Sequence, residues 1–426
     1  MAHPVIHRRL HLADALAALL LIGCGRGADR VSPAASASAP AASTPAASSS
    51  PPAGASAAPL ALDPPPGVTP PSSFIGAKTD KACKAQTADV AAYQTRGDVA
   101  LGAQGDSLAV TWRVRLAGRT EQQIAFASFD KDLRLVARPR GVGDTAHDAP
   151  SRVFGTGSGW AVVWFDDKGL TFARPRQEPL PPPEIAHVTA VGPDVSADVA
   201  LGPWPGGGGL AASPFGADHA QLGLFVFAPA EGPPVKAMGV THHGKEPHLP
   251  AIAATASSTF VAWHEGPALM ASRFDAAGKE TAACVIAPAN GQKRERLSLA
   301  TTAKGAIASW VEGSGVRTRA LDASACPASP VWPAAEGKWA TITSLGETAL
   351  LAWVATDGRL LAARLGPDGA PPARGIDAAE GSTGVKDPPA VVAFGERVAF
   401  GWAEAMSPAI STKRISVRVL DAACVP

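Results

Sequence analysis

The chain has 426 residues, of which 46% are hydrophobic and 18% are charged. Its 38 Lys and Arg nearly balance its 37 Asp and Glu, and the formal net charge of +1 provides no basic field for nucleic acid and no acidic tail for a cationic partner. The 43 Gly and 40 Pro indicate low-complexity segments, while the 10 His and 5 Cys leave little material for a metal cluster, so no cofactor is predicted.

Residues 1–23 have the pattern of a secretory signal peptide. Two arginines at 8–9 precede an apolar run over 15–22, which is too short to span a bilayer as a helix. The segment ends Leu-Ile-Gly-Cys at 21–24, which resembles the lipobox of bacterial lipoproteins. That resemblance implies cleavage before Cys24 and attachment of lipid, palmitate included, to its thiol and new amine. An ordinary signal peptide with a coincidental Cys is the alternative.

Residues 24–75 are predicted to form a disordered tether. Between 32 and 60 nearly every residue is Ala, Ser or Pro, a composition that cannot bury enough apolar surface to offset the entropy of ordering. Gly25, where a retention signal would place Asp, favours the outer membrane. The sequence therefore predicts a protein of the bacterial cell envelope, anchored to the membrane by lipid, on the periplasmic face or the cell surface.

The rest of the chain carries a repeat built of short apolar runs. Six of these runs end in Trp: Trp112, Trp164, Trp263, Trp310, Trp353 and Trp402. The gap of 99 residues between the second and third of them is two periods, with an apolar run lacking Trp at 222–227 midway. Six intervals of about 48 residues across the whole span predict seven units.

Each unit shows three short strands bounded by turn residues, with room for a fourth, and amphipathic helices are absent from the sequence pattern. Residues 76–426 resemble secreted bacterial β-propellers whose second strand ends in Trp. The resemblance implies an all-β, seven-bladed propeller, with six or eight blades as alternatives, in which the Trp packs between blades. The last unit ends after its third strand, so residues 82–93 are predicted to supply the fourth. Such a domain is expected to be a monomer.

Four cysteines remain if Cys24 carries lipid. Cys83 and Cys424 lie at the two ends of the predicted ring, which favours a disulfide between them, and Cys284 and Cys326 occupy similar places in neighbouring units. Other pairings, or four free thiols, are the alternatives. A four-Cys zinc site is disfavoured because no Cys-x-x-Cys spacing occurs.

The search for catalytic motifs is negative: Gly-x-Ser-x-Gly, His-Glu-x-x-His and P-loop patterns are absent. Residues 141–146 fit a dinucleotide fingerprint loosely, but no helix follows, so they are interpreted as a turn. Trp204, in the unit without the repeated Trp, is either an exposed ligand platform or part of an irregular insertion.

An acidic residue follows several of the repeated Trp by two positions, and the next strand offers arginines. The acidic residues are Asp166, Glu265, Glu312 and Glu404, and the arginines are Arg273, Arg319 and Arg418. Cross-strand ion pairs between these two groups are the expectation, and a catalytic carboxylate pair is the alternative.

The candidate ligand-binding residues directly precede predicted inner strands, a position that would gather them around one mouth of a central channel. They are His147, Asp148, His242, His243, Glu246, His248 and Asp387. The loop at 241–248 has three His and a Glu that suit a metal, but a solvated loop is the simpler interpretation and no metal site is assigned.

Two functions remain open from the sequence. One is a binding or scaffold module of the cell envelope with an unidentified protein or glycan partner and no catalytic residue. The other is an envelope glycan hydrolase of the sialidase or glycosidase kind, with carboxylates about 5–10 Å apart at the propeller mouth. The missing motifs favour binding.

Overall fold

A computed structural model describes residues 78–80, 83–93, 98–115, 122–145, 151–166, 169–175, 184–188, 199–204, 208–215, 221–228, 232–237, 247–373, 375–380, 382–407 and 410–426. They belong to the unit Ser56–Pro426. The predicted signal peptide, Cys24 and the predicted tether lie outside the described residues. Among the residues described, no helix is both long and apolar enough to cross a membrane.

The described residues form seven antiparallel sheets, which confirms the all-β prediction. Strands β1 (Lys78–Asp80) and β2 (Ala85–Tyr93) come first in the chain. The first sheet contains β3 (Ala100–Gln104), β4 (Ser107–Arg115), β5 (Gln122–Phe129) and β6 (Leu135–Thr145). The second contains β7 (Arg152–Gly155), β8 (Trp160–Asp166), β9 (Gly169–Arg174) and β10 (Glu184–Val188). The third contains β11 (Ala200–Trp204), β12 (Gly208–Phe215), β13 (Gln221–Ala228) and β14 (Gly232–Ala237).

The remaining four sheets follow the same order. The fourth contains β15 (Pro247–Ala254), β16 (Ser258–Glu265), β17 (Ala268–Asp275) and β18 (Glu280–Ala287). The fifth contains β19 (Arg294–Thr302), β20 (Gly305–Glu312), β21 (Gly315–Leu321) and β22 (Trp332–Glu336). The sixth contains β23 (Lys338–Leu345), β24 (Thr348–Val354), β25 (Leu360–Leu365) and β26 (Ile376–Asp377). The seventh contains β27 (Ala390–Phe394), β28 (Arg397–Ser407) and β29 (Ile410–Asp421), after which Ala422–Cys424 form a turn of 3-10 helix.

The seventh sheet is completed from the other end of the described chain. Strand β2 pairs antiparallel with β29, in a register that sets Thr87 opposite Arg418, and β1 adds a fifth strand beside β2. The prediction that residues 82–93 supply the missing fourth strand is therefore confirmed. Tight turns connect neighbouring strands elsewhere: Gly313, at φ 61°, turns the chain between Glu312 and its cross-strand partner Gly315.

The first strands of successive sheets contact one another in chain order, and β27 contacts β3. Seven hydrophobic clusters each combine residues of two successive sheets, and one of them joins the seventh sheet to the first. The six repeated Trp are each at most 7% exposed and each belongs to one of these clusters, so they pack between sheets as predicted. The junction of the second and third sheets is filled instead by Phe165, Phe172 and Phe225.

The segment at 141–146 is not the turn that the sequence suggested, because most of it lies in β6. Gly143 leaves room there for the ring of Trp164 from the next sheet, and a Cβ at this glycine would lie 2.4 Å from that ring. The Trp164 indole also donates a hydrogen bond to the Asp144 carbonyl at 3.3 Å. The glycine therefore serves the packing of one sheet on the next.

The third sheet differs from the sequence prediction in two places. The run at 222–227 is the third strand of the sheet and not the counterpart of the Trp-ending strands; β12 holds that place. Trp204 is neither an exposed platform nor part of an irregular insertion, because it ends strand β11 and packs, partly buried, against the cluster between the third and fourth sheets.

Both expected disulfides are present. Cys83 bonds Cys424, which links the segment before β2 to the turn after β29, and Cys284 of β18 bonds Cys326 of the following sheet. Each bond therefore joins two parts of the chain that neighbour one another only in the folded sheets.

Candidate functional site

A cavity of about 1130 Å³ lies where the first strands of the sheets begin. All seven sheets contribute to its wall: Asp98 beside β3, Arg152 of β7, Val199 beside β11, His248 of β15, Arg294 of β19, Trp339 of β23 and Asp387 before β27. We call it the mouth cavity. A second cavity of about 390 Å³ is lined by the first strands of all seven sheets.

Arg152 lines both cavities. The other residues that the two cavities share within the described chain are uncharged: Val99, Val199, Pro250, Leu297, Ser298, Thr341 and Pro389. Arg152 is therefore the charged residue, among those described, at the neck where the mouth cavity meets the space lined by the first strands. It donates a hydrogen bond to the carbonyl of Ser151 at 3.0 Å. Burial lowers the pKa of Arg152, and the charge of Asp98 opposes that effect.

A backbone irregularity recurs at the rim of the mouth cavity. In β15, β19 and β23 the register shifts just before the regular pairing begins. Leu249, Arg296 and Trp339 occupy the same place in these three strands, two residues before the pairs Ala251–Ala262, Ser298–Ser309 and Thr341–Ala352. All three adopt a positive φ, of 46°, 57° and 57°, which costs a non-glycine residue about 1–3 kcal/mol. These bulges set the three side chains in the wall of the mouth cavity.

The bulges bring a guanidinium onto an aromatic ring. The Arg296 Cζ atom lies 4.3 Å from the centroid of the Trp339 ring, and the Lys338 Nζ atom lies 5.9 Å from it. At these distances the positive charges are attracted to the electron-rich face of the indole. The stacked Arg296 and Trp339 side chains form one wall of the mouth cavity.

The carboxylates of the mouth cavity are engaged by cations. Asp387 accepts a hydrogen bond from the Lys413 ammonium at 2.5 Å, and Asp98 accepts one from the Arg113 guanidinium at 2.9 Å. Glu295 forms an ion pair with Lys293. A general acid must carry a proton and a nucleophilic carboxylate must be accessible, and ion pairing opposes both requirements.

Glu312 holds Arg294, which lines the mouth cavity, in place. It accepts a hydrogen bond from Arg294 at 2.7 Å, and Arg294 also donates to the carbonyls of Pro267 and Ala287. Burial raises the pKa of Glu312, but hydrogen bonds from Arg294 and Asn290 outweigh it and lower the pKa.

The cross-strand pairing expected from the sequence is therefore wrong in its partners. Arg319 donates to the carbonyls of Ile286 and Ser329, and Arg418 donates to Glu380. Glu404 pairs with Arg414 at 3.0 Å.

Two histidines face each other in the same wall. The rings of His248 and His264 have their centroids 5.0 Å apart. His264 is only 1% exposed, and its buried Nε2 atom has no hydrogen-bond partner among the described residues. Burial, followed by the positive charges of His248 and Arg294, lowers the pKa of His264 to about 4, against a smaller opposing effect of Glu295. The imidazole is therefore neutral at pH 7.

Two of the seven predicted ligand-binding residues lie within the described chain. His248 and Asp387 come from different sheets and line the same mouth cavity. The other five, His147, Asp148, His242, His243 and Glu246, lie outside the described residues. In the part of the chain that the structure describes, no three metal-ligating side chains cluster.

The sequence interpretation missed Arg152, Arg294, Arg296 and Trp339. All four stand at the start of a first strand, as Asp387 stands just before one, so the same positional argument applied to every sheet would have included them.

No family model matches the chain, and no curated protein matches it. Among solved structures, polysaccharide lyase Uly1 is 9% identical, with 76% of this chain and 90% of that chain covered and a TM-score of 0.49. The SapL1 lectin in complex with alpha methyl fucoside is 12% identical, with 66% and 97% covered and a TM-score of 0.40. A subtype N10 neuraminidase-like protein of A/little yellow-shouldered bat/Guatemala/060/2010 is 9% identical, with 77% and 94% covered and a TM-score of 0.41. At these levels of similarity, the function of this chain has to be argued from its own residues.

Proposed function

We propose that this chain is a lipid-anchored binding module of the bacterial cell envelope, a closed seven-bladed β-propeller that takes a ligand in its mouth cavity without transforming it. The observation that carries the proposal is the mouth cavity itself, in which side chains from all seven sheets meet. A large cavity with a few convergent polar groups is the usual form of a ligand site, and loops at strand ends vary without disturbing the sheets.

Three observations support the closed seven-bladed architecture. Seven sheets are described, the first strands contact one another in order with β27 against β3, and a hydrophobic cluster fills each junction between successive sheets. Strand β2, which lies before the first sheet in sequence, completes the seventh, as ring closure requires.

Binding is favoured over catalysis because of how the carboxylates are used. Asp98, Glu295 and Asp387, which line the mouth cavity, each have a cation partner. A glycan hydrolase needs one carboxyl group that donates a proton and a second that attacks or activates water. The alternative of an envelope hydrolase therefore finds no support in the described residues.

The envelope location rests on the lipobox-like ending at 21–24 and on two disulfides, which are typical of chains that fold outside the cytoplasm. The variant Cys24→Ser, which removes the thiol that would carry the lipid, tests the anchor. We expect the variant to leave the membrane fraction and to lose the mass of the lipid. An unchanged mass and unchanged membrane association would contradict the anchor.

The ligand site is tested by filling it. Leu249, 38% exposed, lies on the rim of the mouth cavity, and Val285, 46% exposed, lies on the outer strand β18, so Leu249→Trp and Val285→Trp are matched changes in size. Thermal-shift screening of the full-length protein against envelope glycan fragments, peptides and organic acids should identify ligands. Those ligands should bind the Val285 variant normally and the Leu249 variant at least about tenfold more weakly.

Equal binding by both variants would place the ligand elsewhere. Mass spectrometry of the same mixtures tests the second half of the proposal. Turnover of any compound that stops in the Leu249 variant would show catalysis in the mouth cavity.

A further inference from the structure

The mouth cavity carries an excess of positive charge. Among the described residues that line it, six are Arg or Lys and three are Asp or Glu. The chain as a whole has a formal net charge of only +1, so this excess is local. A concave surface with one dominant sign of charge concentrates ligands of the opposite sign.

Among the residues that the structure describes, two of these cations have no carboxylate partner. Arg113, Lys293, Arg294 and Lys413 each bond a carboxylate of the protein. By contrast, within the described part of the chain Arg152 donates a hydrogen bond to the carbonyl of Ser151, and Arg296 lies on the ring of Trp339.

Arg152, which has no anionic partner among the described residues, lies where a ligand could supply one. It lines both cavities and is partly buried, and Asp98 acts on it through its electric field. A guanidinium that is partly removed from water without a paired counter-charge is destabilised, and a ligand anion would offset that cost. The three strained bulges at the rim, two of which supply Arg296 and Trp339, show that the fold holds these side chains in place against their own backbone preference.

We propose, resting on the proposed function, that the mouth cavity recognises a carboxylate-bearing ligand. Arg152 binds the carboxylate at the neck, and the stacked Arg296 and Trp339 hold the ligand along the wall. The planar guanidinium presents two parallel N–H groups that match the two oxygens of a carboxylate. Because Arg296 lies on the ring of Trp339, Arg152 is the guanidinium that offers both N–H groups to an anion, and its single charge matches a carboxylate better than a doubly charged phosphate. At about 1130 Å³ the cavity has room for the rest of a small organic acid or for several acidic units in a row.

The test compares acids with their own amides, which have nearly the same shape and lack the charge. Benzoate and benzamide, and galacturonate and galacturonamide, are titrated into the full-length protein and followed by ligand-observed NMR. We expect the acids to bind and the amides to bind at least about tenfold more weakly. A galacturonate trimer distinguishes a free acid from a chain of acidic units: tighter binding of the trimer than of the monomer assigns the polymer as the source, and equal binding assigns the free acid.

Two variants separate the roles of the two arginines. Arg152→Gln should weaken binding of the acids by about ten- to a hundredfold, the effect of losing a hydrogen bond to a charged group, and leave binding of the amides unchanged. Arg296→Gln, which removes part of the stacked wall, should weaken binding of the acids and of the amides alike. Arg152→Lys keeps the charge without the planar fork and should recover part of the affinity. The matched control is Arg359→Gln, because Arg359 lies on an exposed turn paired with Asp357. Thermal melting of each variant shows whether it is folded; if Arg152→Gln is unfolded, Arg152→Lys and Arg296→Gln carry the test.

The carboxylate proposal is overturned if acids and amides bind equally, if no acid binds at millimolar concentration, or if phenyl phosphate binds more tightly than benzoate. It is also overturned if both glutamine variants bind the acids as the Arg359 variant does. The proposed function fails separately, when no ligand of the wider screen distinguishes Leu249→Trp from Val285→Trp.

Discussion

The buried His264 should make the protein sensitive to acid. In the unfolded chain this imidazole takes up a proton near its ordinary pKa of 6.5, whereas in the folded protein burial, His248 and Arg294 hold the pKa at about 4. Between these two values the unfolded state binds more protons, so the free energy of unfolding falls as the pH falls. The stability that His264 confers is complete above pH 6.5 and is lost as the pH drops towards 4. At 1.36 kcal/mol per pH unit, the loss reaches about 3 kcal/mol at pH 4.

The measurement is urea unfolding of the wild type and of His264→Phe at pH 7 and near pH 4. Phenylalanine fills the space of the ring and takes no proton, so the variant should lose about 3 kcal/mol less than the wild type over this interval. His248→Phe removes one of the positive charges that oppose protonation of His264, so it should lose less than the wild type as well. Wild-type and His264→Phe stabilities that fall in parallel with pH would refute the argument, because His264 would then titrate alike in both states.

Two further predictions concern the joints between sheets. Trp310 is fully buried between the fourth and fifth sheets, so Trp310→Ala should lower the free energy of unfolding by about 3–5 kcal/mol in urea titrations, and a loss under about 1 kcal/mol would contradict its packing role. The Cys83–Cys424 bond closes a separation of 341 residues and the Cys284–Cys326 bond one of 42, so the double Ala variant of the first pair should be less stable than that of the second by about 2 kcal/mol from chain entropy. Equal losses from the two double variants would show that native contacts, and not loop closure, set the contribution of these bonds.

The repeat could be predicted from the sequence because the same large side chain, Trp, recurs at one place in most of the units. Each sheet buries the end of its second strand against the sheet before it, and Trp fills that junction in six of the seven cases. Where Trp is missing, this signal is lost. Residues 222–227 have the apolar pattern of a second strand but form the third, because a short run of consecutive apolar residues fits either strand equally well. The structures of Trp204 and of residues 141–146 were mispredicted for a related reason. Both depend on packing between neighbouring sheets, which the sequence does not show.

The location of the candidate site was also predictable, whereas its chemistry was only partly so. The rule that residues before first strands gather at one mouth brought out His248 and Asp387, which line a shared cavity. This positional rule does not predict which acidic and basic side chains form ion pairs. Glu312 and Arg294 lie 18 residues apart in the sequence. Their contact depends on the strand register of β19, which includes a shift that local sequence patterns do not predict. The stacking of Arg296 on Trp339 depends on two residues with positive φ, which propensity argues against.

The pairing of β2 with β29 has a consequence for how the protein is made. Thr87 emerges from the ribosome 331 residues before its partner Arg418, so the seventh sheet stays open until β29 has been synthesised. An open sheet presents unpaired backbone groups, which invite aggregation and attack by proteases. Strand β2 can pair with β29, and the Cys83–Cys424 bond can form, only after β29 has been made. A chain truncated before β29 lacks both this strand and Cys424, so it cannot complete the seventh sheet or form the bond.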